Sequence, residues 1–367
     1  LKQLLRLEAC TPRHGCLVCA PCPLRAGAPP PLMQDAATLL ARAIALSSWL
    51  LRAAAAWLSE KSLEGCSFEL VTIDDRPLPF SVDGVQAATY WSMTAVLNYA
   101  YASHWGYGYR YVQLNSSAMP QYRPTWGKVF YLAERLRAFA GSRKCVWFLH
   151  LDGDAFVREF DVPLPVLLAS LGRRYRIRRD VGTIFTVEQD LDMGSGLRSS
   201  MRGYSAKVPW LNTGVFLLQM GDNGRKFMNA WEAAARNAEP FLKGNWPGEQ
   251  GVVTELVVPG TYPRARVELG AERPACLNHT LRAVDMVEFN SPWGRFATHI
   301  WSHHDYLRTP SLWDALVRLR LNGPKALAPK YYKARQRTEI WAPSAAAIGG
   351  AARVPRRDRP RTHVEKA

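Results

Sequence analysis

Apolar positions in this chain fall into short dense runs that alternate with longer, spaced stripes. Ser67 to Ile73 (SFELVTI) is a run of strand length, broken by Asp74-Asp75-Arg76-Pro77. Asp83 is placed to cap a helix that runs to about His104 and stops at Gly106. Tyr109 to Leu114 predicts a second strand and Trp126 to Phe139 an amphipathic helix. Cys145 to Leu151 predicts a third strand, apolar enough to be buried on both faces. Later, TIFTV has the composition of a strand, and Thr213 to Gln219 predicts another buried one. Helices are expected near 223–237 and 248–257. Strand, helix, strand, helix, strand is the alternation of a doubly wound parallel sheet, an α/β class.

The third strand runs straight into Asp152-Gly153-Asp154. Carboxylates at i and i+2 leaving a buried strand converge at its C-terminal edge, where open α/β sheets bind ligands. Two hard oxygen ligands at that spacing suit Mg²⁺ or Mn²⁺ held together with substrate phosphates. Gly153 lets the backbone turn tightly and approach the ligand. A second Asp-x-Asp, Asp190 and Asp192, is separated from its preceding strand by Glu188 and Gln189 and is less cleanly placed.

Composition changes this picture little. With 367 residues, 48% of them hydrophobic, the chain can bury a sizeable core in one large or two small domains. The net charge of +16 would point to nucleic acid if it were spread over the fold. Thirteen Lys and Arg against three Asp and Glu lie between Arg318 and Ala367, so the tail alone carries +10. Nucleic acid is therefore an unlikely partner for the globular part. Four domains of organisation follow: a Pro-, Cys- and Gly-rich disordered leader (1–35), a helix or stem (36–65), a catalytic domain (66–323) and a basic disordered tail (324–367).

Cys10, Cys16, Cys19 and Cys22 lie close together but lack a second C-x₂-C knuckle, which disfavours zinc. The odd total of seven cysteines leaves the redox compartment open. Residues 36–58 are the membrane candidate; Arg42 and Arg52 leave too short an apolar stretch for an ordinary span, so signal-anchor and packed amphipathic helix both stand.

The chain has no G-x-G-x-x-G after the first strand, no P-loop, no G-x-S-x-G and no H-E-x-x-H. Dinucleotide dehydrogenases, P-loop nucleotidases, α/β-hydrolases and zincins are disfavoured, and nucleotide-sugar transfer leads. Four blocks then carry a resemblance. Trp126 and Lys128 form W-x-K ahead of Asp152-Gly153-Asp154-Ala155; Leu211 to Phe216 reads LNTGVF; Glu249-Gln250 opens a helix; Phe296 to His299 reads FATH. In this order they resemble the glycosyltransferase family that contains plant xyloglucan xylosyltransferases and fungal galactosyl- and mannosyltransferases, over roughly 66–305. Gly153 stands where that family has serine, Glu249 where it has aspartate, and IWSHHDY follows His299 in place of its Gly-Cys segment.

The resemblance implies a GT-A-type Rossmann-like nucleotide-sugar-binding fold in a single catalytic domain, with a nucleotide-sugar donor and a carbohydrate acceptor. It implies Mn²⁺ (or Mg²⁺) held by Asp152, Asp154 and His299, with His303 and His304 nearby as alternatives that reach phosphate. Taken alone, His299 is an ordinary half-buried strand histidine. Lys128 pairs with donor phosphate or with a carboxylate of the site, or is a solvated helix lysine. Thr72 to Asp75, including Asp74, lie where a base and ribose sit by sheet geometry. Asn212 is a sugar-binding amide or a turn residue. Family members retain anomeric configuration, and Glu249 and Gln250 would then orient substrate; with inversion Glu249 becomes the general base. Resemblance also implies a Golgi or other secretory-pathway membrane protein with a lumenal catalytic domain. Two other classes remain: a nucleic-acid or membrane-surface binder using the basic tail, and a metal-dependent nucleotide phosphohydrolase.

Overall fold

The computed structural model describes residues 57–78, 89–142, 144–188, 210–246, 248–257, 280–300, 305–319, 338–344 and 348. Its first strand, β1 (Ser67–Asp74), pairs in parallel with β2 (Gly108–Leu114) and β3 (Val146–Leu151), and α1 (Tyr90–His104) and α2 (Gly127–Ala138) connect them. A short β4 (Ala155–Val157) and α3 (Leu164–Tyr175) follow, then β5 (Thr183–Glu188) and β6 (Trp210–Gln219). Helices α4 (Asp222–Asn237), α5 (Pro240–Gly244) and α6 (Gly248–Val257) precede β7 (Leu281–Val284), β8 (Ala297–His299), α7 (Asp305–Arg318) and β9 (Thr338–Trp341).

Among the described residues, seven strands form one sheet in the order β7-β5-β6-β3-β1-β2-β9, and β4 and β8 form a separate two-stranded ribbon. Only β6, antiparallel to both β3 and β5, breaks an otherwise parallel sheet. This is a mixed α/β architecture with a mostly parallel central sheet, the Rossmann-like arrangement expected of a GT-A-type fold.

Alternation along the central strands explains why both faces are covered. Phe148, Phe216 and Leu218 point to one side, where Trp126 just ahead of α2, Phe130 of α2 and Trp231 of α4 meet them. Trp147, Leu149, Leu151, Val215 and Leu217 point to the other, against Tyr101 of α1 and Leu167, Leu168 and Leu171 of α3. The runs 146–149 of β3 and 215–218 of β6 are therefore apolar on both faces, as a doubly covered sheet requires. Cys66 and Cys145, one residue ahead of β1 and β3, form a disulfide that ties the two strands at the end opposite the aspartates.

Several expected boundaries move. The strand predicted to break at Asp74 continues through it, because Asp74 still pairs with Gln113. The proposed cap Asp83 lies outside the described residues, and α1 begins at Tyr90. The stem expected over 36–65 does not stay apart from the domain at its end: Trp57 bridges Arg178, Leu58 donates to the Ile177 carbonyl, and Leu58 and Leu63 are buried. The rest of 36–58 lies outside the described residues, and no helix among those described is long and apolar enough to cross a membrane. The tail expected to be disordered over 324–367 contributes β9, which pairs in parallel with β2 and closes that edge of the sheet. Trp341 packs edge-on against Tyr131 of α2, and Glu339 accepts from both Arg110 and Tyr131. Four residues of strand within a basic, low-apolar tail carry too little pattern to be read from sequence.

Candidate metal centre

β3 delivers Asp152 at the C-terminal edge of the sheet, and the chain turns at once into β4, which carries Asp154 at its entrance. Two anchors from α1 fix that turn. Thr94 Oγ1 donates to the Gly153 carbonyl at 2.8 Å. The buried amide of Asn98 donates to the Ala155 carbonyl and accepts from the Val157 N–H, both at 3.0 Å. A Cβ at Gly153 would overlap Asp74 Oδ2 and crowd Arg76 Nη2. Glycine here, where the resembled family has serine, is what lets the end of β1 close on the Asp-x-Asp turn.

The ribbon brings the third group. Ala155 pairs with His299 across β4 and β8, placing His299 Nε2 3.1 Å from Asp154 Oδ1. The Asn290 amide oxygen, which can only accept, faces His299 Nδ1. Nδ1 therefore carries the ring hydrogen and Nε2 is the nitrogen offered to the carboxylates, the outer-shell arrangement usual for metal-binding histidines. One ligand atom from each of Asp152, Asp154 and His299 lies within 4.8 Å of the others. Two carboxylate oxygens and one imidazole nitrogen fit a hard or borderline divalent cation, so Asp152, Asp154 and His299 would hold one.

A bulge in β6 completes the wall. The β5 register jumps from Phe185↔Phe216 to Thr186↔Asn212, so residues 213–215 leave β5 and lean on β3. Asn212 Oδ1 accepts from the Gly214 N–H at 2.8 Å and holds the bulge closed, while the Gly214 carbonyl accepts from the Asp152 N–H at 2.7 Å. A side chain at Gly214 would run into the His299 ring. Each polar letter of LNTG thus has a physical task.

Lys128, from the first turn of α2, is buried at 2% exposure and is the centre of the charge arrangement. Its Nζ lies 2.7 Å from Asp152 Oδ1, donates to the Thr213 carbonyl at 3.1 Å, and stands 3.5 Å from Glu249 Oε1. Glu249, at the start of α6, also accepts from Thr125 at 2.8 Å and Thr213 at 3.2 Å, so both its oxygens are engaged. Of the three roles open to Lys128, pairing with the site's own carboxylates is the one seen. Burial alone would raise the Asp152 carboxyl, but Lys128 and the hydrogen bond from His150 (2.9 Å) outweigh it and hold the group well below the usual carboxylate range. Burial disfavours a charged His299, and the Asp154 carboxylate beside it outweighs that and lifts its pKa. His150, wholly buried, is pushed down by desolvation and faces Asp152 in its neutral form.

The remaining expected residues are placed less uniformly. Asp74 sits beside Gly153, paired with Arg76, its carboxyl raised chiefly by burial. Thr72 lies inside β1 at 1% exposure with its hydroxyl buried and without a hydrogen-bond partner among the described residues. Gln250 is buried next to Glu249. His303, His304, the second Asp190/Asp192 pair and the Cys10 to Cys22 cluster lie outside the described residues. Arg308, Asn290, His150 and Asn98 were not anticipated. Each is a single polar residue with no local pattern: α1 supplies Asn98, α7 supplies Arg308, the segment ahead of β8 supplies Asn290, and His150 stands within β3 itself.

Fold and site define an α/β protein with a candidate divalent-cation centre at the carboxyl edge of its sheet. No protein-family model matches the chain, and no curated protein matches it. Among solved structures the chain is similar to a glycosyltransferase involved in the glycosylation of the major capsid of PBCV-1, with a TM-score of 0.40, 16% identity, and coverage of 68% of this chain and 99% of that one.

Proposed function

We propose that this protein is a metal-dependent glycosyltransferase that moves a hexosyl or pentosyl group from a nucleotide sugar to a glycan or glycoprotein, with retention of configuration. The observation that carries the reading is the convergence of Asp152, Asp154 and His299 at the carboxyl edge of the sheet, the edge at which such sheets take nucleotides. The cation, Mn²⁺ or Mg²⁺, would neutralise charge developing on the departing nucleoside diphosphate.

Around it the chain's own residues have separable tasks. Asp74 and Arg76 border the turn where a nucleoside would lie, and Gly153 lets them pack directly against it. Lys128 fixes the Asp152 carboxylate in its ionised form and in one orientation. Glu249, with both oxygens engaged by Thr125, Thr213 and Lys128, is poorly disposed to remove a proton from an acceptor hydroxyl. That favours retention, with Glu249, Gln250 and Asn212 shaping and orienting the sugar pocket rather than acting as bases. The Cys66–Cys145 disulfide supports an oxidising compartment, in keeping with a Golgi or other secretory location.

The decisive experiment is turnover of a panel of nucleotide sugars by the full chain with and without Mn²⁺, repeated with Asp152→Ala and Asp154→Ala. Transfer or slow donor hydrolysis that needs the cation and both aspartates is expected. Phosphate release with no sugar transfer would replace this reading with a phosphohydrolase, and a folded protein inert toward every donor would overturn it.

A further inference from the structure

The ribbon that carries His299 has a second face. Side chains alternate along β4 and β8, so Ala155, Val157 and Ala297 pack into the core on the side of His299. Phe156 and Thr298, which pair with each other, face the opposite way. On that side a cavity of about 250 Å³ lies between the ribbon, the turn ahead of β8 and α7. Phe156 and Thr298, both 2% exposed, form its floor, and Trp293, Arg158 and Asp314 stand around it.

Trp293 is 67% exposed, the most exposed tryptophan among the described residues. Its backbone is nonetheless fixed. Ser291 Oγ accepts from the Trp293 N–H at 3.2 Å, and the Ser291 carbonyl accepts from the Gly294 N–H at 3.0 Å and the His299 N–H at 3.1 Å. Pro292 restricts the chain on one side. On the other, Gly294 lies so close to the Ala297 carbonyl that a Cβ there would overlap it. The indole is thus held toward water on a rigid turn whose backbone is tied to the histidine of the metal centre. A large apolar surface ordered in advance costs little more to order when a ligand covers it.

The charged groups of the cavity decide which ligand fits. Asp314 pairs with Arg318 at 3.1 Å and Arg158 with Glu159 at 3.5 Å, and all four side chains are well exposed. Such surface pairs hold their partners weakly and exchange them readily for other donors and acceptors. A flat aromatic face with a carboxylate and a guanidinium at its border suits a pyranose ring. The C–H groups on one face of the sugar meet the electron-rich face of the indole, and its edge hydroxyls donate to Asp314 and accept from Arg158. The volume lies below the usual range of small-molecule pockets, about 300–1,000 Å³, and matches one sugar ring rather than a whole nucleotide sugar.

We propose that this cavity is a carbohydrate subsite, in which one ring of the acceptor glycan stacks on Trp293 while a hydroxyl of another ring is presented at the metal face. This rests on the glycosyl-transfer reading and deepens it: the acceptor is an oligosaccharide chain, held beyond its reacting ring across the ribbon from Asp152, Asp154 and His299. Neighbouring residues of β8 then serve the two sites, His299 the cation and Thr298 the glycan.

The test applies the full chain, without donor or metal, to an array of gluco-, xylo-, manno- and galacto-configured oligosaccharides and titrates the bound chain by calorimetry. Trp293→Ala should weaken that binding about tenfold, and Trp293→Tyr, which keeps a flat ring, should stay within about threefold of the parent. At its exposure Trp293 can be replaced with little effect on folding. Binding that survives Trp293→Ala unchanged overturns the proposal, as does a tyrosine variant as weak as the alanine one or a parent that binds no arrayed chain. A parent that binds no glycan but self-associates in sedimentation, with Trp293→Ala monomeric, overturns it in favour of a protein contact. Donor turnover by the same parent separates the two readings. Mn²⁺-dependent turnover without glycan binding removes the subsite alone, whereas Trp293-dependent glycan binding by a chain inert toward every nucleotide sugar upholds the carbohydrate site and overturns the transferase reading.

Discussion

Asp152 and Asp154 are two residues apart, yet one belongs to the sheet and the other to the ribbon. Asp152 is held by Lys128 and His150, supplied by the sheet and by the helix packed on its face. Asp154 is held by His299 and Arg308, 145 and 154 positions further along the chain. The sheet half is buried, charge-matched and linked to the core through Thr213 and Glu249. The ribbon half is short, reached by loops, and braced by Asn290, by Asn98 and Thr94 of α1, and by α7. Stability should therefore reside in the first half and ligand dependence in the second.

The strongest way to test that division is Lys128→Met. It leaves Asp152 and Glu249 facing each other without their buried counter-ion, and roughly 3–5 kcal/mol of folding stability should be lost. Chemical denaturation of the variant reads this directly; a loss under 1 kcal/mol would show that the sheet half is not the stabilising one. Cys66→Ala/Cys145→Ala strikes the opposite end of the same strands. Opening a loop of 79-residue separation should cost about 2–4 kcal/mol. Because the cysteines lie far from the carboxylates along β1 and β3, the folded variant should keep the parent's Mn²⁺ affinity, and a large change would join the two ends of the sheet functionally.

Asn290→Ala addresses the ribbon half with the smallest expected cost in stability. Removing the acceptor for the Nδ1 hydrogen frees the His299 ring to change tautomer and orientation. Mn²⁺ affinity should fall about 10–100-fold while the denaturation midpoint moves little. A variant that loses stability but binds Mn²⁺ normally would make Asn290 a packing residue and weaken the assignment of His299 as a ligand.

How far the site could be read in advance follows the same line. Asp152 and Asp154 are visible because an apolar run of strand length ends in carboxylates. The Leu211 to Phe216 block and Glu249-Gln250 are visible as a pattern, but their contacts within the protein are not: Asn212 braces the bulge, Gly214 makes room for a ring, and Glu249 balances a lysine. The edge strand β9 was missed because pairing to β2, not local composition, makes it a strand. Helices α3 and α7 went unassigned, although Leu164, Leu167, Leu168 and Leu171 make a legible apolar stripe on the first.

By itself the sequence determined the order of strands and helices in the core, since burial on both faces demands continuous apolar strands. It also determined that two aspartates leave the third of those strands. Only the tertiary structure decided what surrounds each aspartate. A lysine, a histidine or an arginine has the same local pattern whether solvated or buried, and its chemistry is set by the charges that folding places within a few ångströms of it.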